Sequence, residues 1–128
     1  MRLLLDTHIF LWFIGGDERL SETARSLIED DQNQVYLSVA SLWEMAIKIS
    51  LGKLSLARPY ETLIPEQIDQ NQLELMGITL PHTTVVVSLP YHHRDPFDRM
   101  IIAQALTEQL TLVSGDPVFD LYEIDRVW

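Results

Sequence analysis

Short apolar stretches alternate along this chain with longer stretches in which apolar residues recur at helical spacing. The short stretches are rich in β-branched and aliphatic residues and end at turn formers, a pattern typical of buried β-strands. Residues 83–89 (TTVVVSL) are ambiguous, because β-branching favours a strand while the position before a helical segment allows a short helix. Five stretches are strand candidates: 2–5 (RLLL), 35–39 (VYLSV), 77–80 (GITL), 111–115 (TLVSG) and 123–128 (EIDRVW).

The longer stretches predict helices with recognisable ends. The first should stop at the Gly15-Gly16 pair, and the second should begin at Ser21, whose hydroxyl is a preferred N-cap. Gly52 fits a left-handed C-terminal cap, and Pro65 should start or kink a helix at its position. The predicted helices cover residues 6–14, 21–30, 41–53, 60–77 and 95–110.

The order of these elements predicts the fold class. Strands of about five residues separated by helices indicate a three-layer α/β fold with a central, mostly parallel sheet. No repeat, low-complexity tract or linker interrupts the pattern. The sequence therefore predicts a single domain over residues 1–128.

One position breaks the apolar pattern of the helix at 95–110. Ile101, Ile102 and Ala105 share one face of that helix, and Asp98 falls on the same face at about 3.6 residues per turn. A carboxylate therefore stands where a methyl group is expected, which raises the question of what a buried acid does there.

Composition limits the answers. The chain is 47% hydrophobic and has no run resembling a membrane span and no signal-peptide layout, so we expect a soluble chain that starts at Met1. It has no cysteine, which excludes disulfides and thiolate metal sites and fits a reducing cytoplasm. Nine Lys and Arg against 19 Asp and Glu give a net charge of −10, which argues against binding nucleic acid through a broad basic surface.

Four acids are placed where α/β folds concentrate their chemistry, beyond the carboxyl ends of the strands. Asp6 directly follows the first strand, and Asp116 follows the strand at 111–115. Glu44 lies early in the helix after the second strand, and Asp98 lies in the first turn of the helix before residue 111. We expect these four carboxylates to converge at one edge of the sheet.

Each acid also has a purely structural interpretation. Asp6 fits a helix N-cap, Asp116 fits a turn, and Glu44 fits an ion pair with the lysine four residues on. Asp98 fits the third position of a helix capped by Asp95, where an acid favours the positive helix end. The joint pattern, rather than any one acid, carries the prediction.

Clustered carboxylates suggest a metal ion. Carboxylates within a few ångströms repel, and in a dry cleft one of them would have to bind a proton. A divalent cation removes the repulsion, and Mg²⁺ and Mn²⁺ prefer oxygen ligands. Such a site can lower the pKa of a bound water and offset the charge that develops during attack on phosphorus. Asp98 would then interrupt the apolar face in order to reach a metal.

Four segments together carry a resemblance to a known family: LLLDTHIFLW (3–12), SVASLWEMAIKISLGKL (38–54), HRDPFDRMIIAQA (93–105) and TLVSGDPVFDLYEIDRVW (111–128). They resemble the PIN-domain family. The resemblance covers nearly the whole chain in order, and within the family it is most similar to the VapC-like toxin ribonucleases of type II toxin–antitoxin modules. Residues 82–90 (HTTVVVSLP) are the weakest part, since members usually form a helix there.

The resemblance implies a Mg²⁺- or Mn²⁺-dependent endoribonuclease that forms a homodimer and binds a cognate antitoxin. The family's acidic site falls on Asp6, Glu44, Asp98 and Asp116, and we expect Asp6, Asp98 and Asp116 to bind the metal. Thr7 and Ser114 match the small hydroxyl residues that often neighbour those acids. The residues expected on the substrate side of the site are Thr7, Lys48, Arg94, Arg99 and Ser114.

Basic and aromatic residues have competing interpretations. Lys48, Arg94 and Arg99 fit contacts to RNA phosphates and fit structural ion pairs equally well. The histidines lack HExxH or similar spacing, which argues against zinc at His8, His92 and His93. The stripe Ile9, Trp12 and Phe13 predicts core or a dimer interface, and Trp43 and Trp128 predict core rather than base-stacking platforms.

Three alternatives compete with the ribonuclease hypothesis. A haloacid-dehalogenase-like phosphatase needs a second aspartate two residues after Asp6, where this chain has His8. A response-regulator-like receiver needs an aspartate at the end of a central strand, which VYLSV lacks. A PIN-like domain that serves only as a non-catalytic binding or regulatory module remains open.

Overall fold

A parallel sheet of five strands lies between two layers of helices in the computed structural model, which describes all 128 residues. This architecture confirms the predicted three-layer α/β fold. None of its helices is both long and apolar enough to cross a membrane. The elements, in chain order, are β1 (Arg2–Leu5), α1 (Thr7–Gly15), α2 (Glu22–Glu29), β2 (Gln34–Ser38), α3 (Val39–Ser50), α4 (Tyr60–Gln70), β3 (Glu74–Met76), α5 (Leu80–Ser88), α6 (Pro96–Glu108), β4 (Thr111–Val113), a 3-10 helix (Pro117–Leu121) and β5 (Arg126–Val127).

The first strand is the centre of the sheet. The strand order is β3-β2-β1-β4-β5, and all neighbours run parallel. Leu3, Leu4 and Leu5 are fully buried, as expected for a parallel strand covered on both faces. Because β1 and β4 are adjacent and parallel, the residues that follow them emerge side by side at one edge of the sheet.

Alternate residues of β1 supply two separate cores. Leu3 and Leu5 pack on one face with Phe10 of α1 and Met45 of α3. Leu4 points to the other face and packs with the α6 face that includes Ile101. The two-residue period of a strand thus places α6 on the opposite layer from α1.

Most predicted helix ends are confirmed. Gly16 caps α1 with a left-handed φ of 62°, and the Ser21 hydroxyl accepts a hydrogen bond from the Ala24 amide at the start of α2. The Asp95 carboxylate accepts hydrogen bonds from the amides of Phe97 and Asp98, so Asp95 caps α6 and Asp98 is its third residue.

Residues 60–89 differ from the prediction. The predicted helix over 60–77 ends at Gln70, and the predicted strand at 77–80 lies instead at 74–76, where Met76 pairs with Ser38. Gln72 has a φ of 53°, which terminates the helix. As an edge strand, β3 is mostly exposed and so lacks the apolar alternation that marks a strand in sequence. Pro65 lies inside α4 without ending it.

The ambiguous segment at 83–89 is helical over nearly its whole length, as in the family it resembles. α5 begins at Leu80 because Thr79 and His82 form a reciprocal capping box. His82 is also within 2.9 Å of Glu108 on α6, which joins the two helices. The capping interactions at its N-terminus therefore favour a helix here, although the β-branched composition favours a strand.

The prediction that two tryptophans lie in the core is wrong. Trp43 is 61% exposed and Trp128 is 39% exposed. Trp43 packs its ring edge against Phe97, and Trp128 lies over Gly115, where an added Cβ would stand 3.1 Å from the indole ring. In the stripe on α1, Ile9 is buried, whereas Trp12 and Phe13 are only half-buried.

Candidate active site

Asp6 lies at the junction of β1 and α1 and is almost fully buried. Its amide donates to the Val113 carbonyl at the end of β4, which fixes the backbone of the two strand ends together. Its carboxylate makes no capping hydrogen bond to α1, so the structural interpretation as a cap is not borne out. Instead, Oδ2 accepts a hydrogen bond from the Ser114 hydroxyl at 2.9 Å.

Glu44 is buried on α3 beside the start of α1. Its Oε1 accepts a 2.7 Å hydrogen bond from the Thr7 hydroxyl, and the Ser41 hydroxyl lies 2.8 Å from the same Thr7 oxygen. Its Oε2 forms a 2.7 Å ion pair with Lys48. The ion pair expected from the i,i+4 spacing is therefore present. It is not a surface ion pair, however, because only 4% of Glu44 is exposed.

Asp98 is half-buried at the start of α6, and neither a side chain nor an amide of the protein donates a hydrogen bond to its carboxylate. Burial, followed by the charges of Asp6, Asp95 and Glu44, raises its pKa to about 7, and His93 partly opposes this shift. Burial also raises the pKa of Asp6, against the hydrogen bond from Ser114. The acids from β1, α3 and α6 are therefore close enough to act on one another.

Asp116 stands at the margin of this group. It follows β4 and caps the 3-10 helix, with Oδ1 accepting from the Val118 amide at 3.0 Å. Oδ2 lies 3.0 Å from Nε2 of His93. The Asp116 amide donates to the Ser114 hydroxyl, which in turn donates to Asp6, so one buried serine links the two aspartates.

The donor set suits a hard divalent cation, although the side chains do not surround one as they stand. No group of three acidic or histidine side chains is arranged closely enough to hold a metal ion. The available atoms are nevertheless all carboxylate oxygens, and the Asp98 carboxylate has no donor of its own. Asp6 and Asp98 fit the chemistry of Mg²⁺ or Mn²⁺, and binding requires the acids to draw closer together.

The predicted substrate-binding residues fall into two groups. Thr7 and Ser114 are buried and hold Glu44 and Asp6, so they orient the acids. Lys48 is partly exposed beside Glu44, which raises its pKa by hydrogen bonding. Arg94 is exposed and takes part in no ion pair.

Arg99 is not available to RNA phosphates, contrary to the prediction. It is 5% exposed, and its guanidinium donates to four main-chain carbonyls. The ring of Tyr91 lies 3.9 Å from the guanidinium carbon. Arg99 therefore anchors the loop between α5 and α6. The four carbonyls belong to Val86, Leu89, Pro90 and His93.

Sequence reasoning missed His93 and Ser41 as neighbours of the acids. His93 was considered only for zinc, and the signal that could have placed it was its position two residues before the Asp95 cap of α6. Ser41 lies three residues before Glu44, so both occupy one face of α3.

The fold and the site together define an α/β domain with an acidic centre at the carboxyl ends of its parallel strands. Comparison with known proteins identifies the family to which this domain belongs. Residues 3–125 match the PIN domain. The chain belongs to the PIN domain family.

The relatives agree with this placement. Ribonuclease VapC22 of Mycobacterium tuberculosis is 29% identical over 115 residues, which cover 89% of this chain and 86% of that protein. The solved structure of VapBC2 from Rickettsia felis, bound to a DNA fragment from their promoter, aligns with a TM-score of 0.71 over 99% of this chain and 98% of that chain at 18% identity. DNA-bound VapBC from Salmonella typhimurium aligns with a TM-score of 0.71 over 99% of this chain and 97% of that chain at 17% identity. At these identities the solved structures establish the shared fold.

Proposed function

We propose that this chain is a divalent-metal-dependent endoribonuclease and the toxin of a type II toxin–antitoxin module. The observation that carries the proposal is a group of three acids near the strand ends of a PIN domain, the buried Asp6 and Glu44 and the half-buried Asp98, whose charges act on one another. The relative named as a ribonuclease supports RNA as the substrate, and the solved VapBC complexes support an antitoxin partner. With an RNA substrate and a protein antitoxin, the activity that we propose is cytoplasmic.

In this proposal Asp6, Asp98 and Asp116 hold a Mg²⁺ or Mn²⁺ ion. When bound, the ion supplies an activated water and offsets negative charge at the phosphate. Ser114 holds Asp6 through a hydrogen bond. Burial, and after it the charges of neighbouring acids, raises the pKa values of Asp6 and Asp98, and a cation would offset both effects.

Two basic side chains lie where they could bind the RNA backbone. Lys48 is 39% exposed at its side chain while pairing with Glu44, and Arg94 is exposed two residues before Pro96. Because the whole chain carries a charge of −10, phosphate binding depends on such local cations and on the metal. Glu44 then holds Lys48 at the edge of the acidic group.

The test is digestion of total RNA by the purified chain freed of antitoxin. We expect cleavage with Mg²⁺ or Mn²⁺, none in EDTA, and none by Asp6→Asn or Asp98→Asn variants that keep the parent's circular dichroism. Cleavage that persists in EDTA would exclude the metal mechanism. A parent that binds Mn²⁺ yet leaves RNA intact would instead support the non-catalytic alternative. Mapping the 5′ ends of the products identifies the RNA and the cleavage sequence, and added antitoxin should suppress cleavage.

A further inference from the structure

His93 is held at every polar atom that it has. Its amide donates to the Tyr122 hydroxyl at 2.9 Å, and its carbonyl accepts from Arg99. Its Nδ1 lies 3.2 Å from the same Tyr122 hydroxyl, and its Nε2 lies 3.0 Å from Oδ2 of Asp116. The ring stacks on Phe119 at 4.4 Å, and 9% of the side chain is exposed.

The direction of the contact with Asp116 follows from chemistry. An ionised carboxylate only accepts hydrogen bonds, so Nε2 carries the proton and donates it to Oδ2. The Tyr122 hydroxyl accepts the His93 amide and can donate its own proton to Nδ1. This chain of hydrogen bonds fixes the orientation of the ring.

Few contacts apart from the one with His93 hold the Asp116 carboxylate. Its side chain is 41% exposed, and its only other side-chain hydrogen bond comes from the Val118 amide in a short 3-10 helix. An exposed aspartate held on one oxygen can still rotate about its side-chain bonds. The bond from His93 fixes the second oxygen.

We propose that His93 is a positioning residue for metal binding, which it promotes by fixing the orientation of the Asp116 carboxylate through the hydrogen bond to Oδ2. The proposal rests on the function proposed above, in which Asp116 is a metal ligand. A purely structural role would be to attach the loop between α5 and α6 to the rest of the fold. Arg99 already attaches that loop through four carbonyls, and Tyr122 holds the His93 amide. The hydrogen bond from Nε2 is therefore not needed to attach the loop, and its effect is to hold the Asp116 carboxylate.

The experiment measures Mn²⁺ binding to the metal-free chain by calorimetry, together with the Mn²⁺-induced rise in melting temperature. His93→Phe keeps an aromatic ring on Phe119 but has no donor, and we expect its Mn²⁺ dissociation constant to rise about 10- to 100-fold, as for other residues that orient metal ligands. His93→Gln keeps an N–H donor and should bind within a few-fold of the parent. His92→Gln is the matched control, because His92 is exposed and only its ring edge meets Tyr122, and it should bind as the parent does.

The outcomes separate this proposal from the proposed function. If the parent does not bind Mn²⁺, or if Asp6→Asn binds it as well as the parent does, the proposed metal site itself fails. If Asp6→Asn loses binding while His93→Phe keeps it, only the role of His93 is overturned. Equal losses in His93→Phe and His93→Gln also overturn it, because packing and not the donor would then matter. Should His93→Phe not fold, Tyr122→Phe replaces it; we expect weaker Mn²⁺ binding, and parent-like binding overturns the proposal.

Discussion

Asp98 shows at the scale of one residue how a carboxylate can be costly to the fold and useful to the site. Asp95 already caps α6, so Asp98 is not needed to satisfy the helix amides. Its carboxylate has no hydrogen-bond donor, and burial raises its pKa to about 7. We expect a charge held in this way to destabilise the metal-free protein and to attract a cation.

The cost of Asp98 should appear as a pH dependence of stability in EDTA. Below pH 4 the residue is protonated in the folded and unfolded states and costs nothing. Between pH 4 and 7 the folded state holds a proton that the unfolded state has lost, so this residue lowers stability as pH rises, and the whole penalty is present above pH 7. The melting temperature of Asp98→Asn, relative to that of the parent, should therefore increase from pH 4 to pH 8.

Asp31→Asn is the control for this pH series, because Asp31 lies exposed in a turn far from the acids in sequence. Its melting temperature should differ from the parent's by the same amount at every pH. A similar flat difference for Asp98→Asn would contradict the assignment of Asp98 to a repulsive cluster.

The same carboxylate should couple stability to metal. A cation that binds only the folded chain stabilises it by about 2.7 kcal/mol at a hundredfold excess over its dissociation constant. Added Mn²⁺ should therefore raise the melting temperature of the parent and raise that of Asp98→Asn much less. If Mn²⁺ raised both melting temperatures equally, Asp98 would not belong to the metal site and would act only by stabilising the N-terminal end of α6.

Arg99 should contribute to stability rather than to RNA binding. Replacing it with methionine leaves buried carbonyls of the loop without a donor, and we expect the free energy of unfolding to fall by roughly 1–3 kcal/mol in urea titrations. Arg94→Met, which changes an exposed arginine, should shift the free energy of unfolding by less than about 0.5 kcal/mol but weaken RNA cleavage. The reverse ranking would assign the phosphate contact to Arg99.

At the scale of elements, predictability follows burial and local capping. β1 was predicted correctly because a central parallel strand is apolar on both faces, and α1 and α6 were predicted from their caps. β3 was misplaced because an edge strand has one partner and little buried surface to mark it. The places of Asp6 and Asp116 in the fold could be predicted because both follow strand ends, whereas Asp116's partner His93 comes from a loop whose path depends on the buried Arg99.

The C-terminal cap of α1 gives a matched pair of glycines. Gly16 adopts a φ of 62°, where a side chain is strained even though nothing lies within 4 Å of an added Cβ. Gly16→Ala should lower the free energy of unfolding by about 1 kcal/mol. Gly15→Ala, one residue earlier inside the helix, should leave it unchanged or raise it slightly, because alanine restricts the unfolded chain. Equal losses would show that the backbone conformation of Gly16 is not the cause.

At the scale of the whole molecule, the distribution of charge favours one face for self-association. Two chains that each carry a net charge of −10 repel over most of their surfaces. One concave face on α3, α5 and α6, with a volume of about 520 Å³, is lined by eleven residues of which eight are hydrophobic and none is acidic. Trp43 and Tyr91 lie on it with 61% and 80% of their surfaces exposed.

We therefore expect a homodimer that buries the apolar residues of this face and leaves Arg94, which also lines it, at the margin and accessible to RNA. Trp43→Asp places a charge in it and should convert the dimer to a monomer in sedimentation equilibrium, with the circular dichroism unchanged. Leu121→Asp changes an equally exposed residue of the 3-10 helix, outside the face, and should remain dimeric. A monomeric parent, or a dimer unaffected by Trp43→Asp, would exclude this interface.

The hydrogen bond from Ser114 to Asp6 joins residues 108 positions apart, and it lies between two strands that are adjacent in the sheet. A ribosome that is making this chain adds Ser114 108 positions after Asp6. The acidic centre therefore cannot assemble until Ser114 has left the ribosome, and shorter nascent chains do not expose a finished site to the polysome. Premature termination before β4 likewise yields a fragment without Asp116 or the partner strand of β1, so truncated products should be harmless to the cell's RNA.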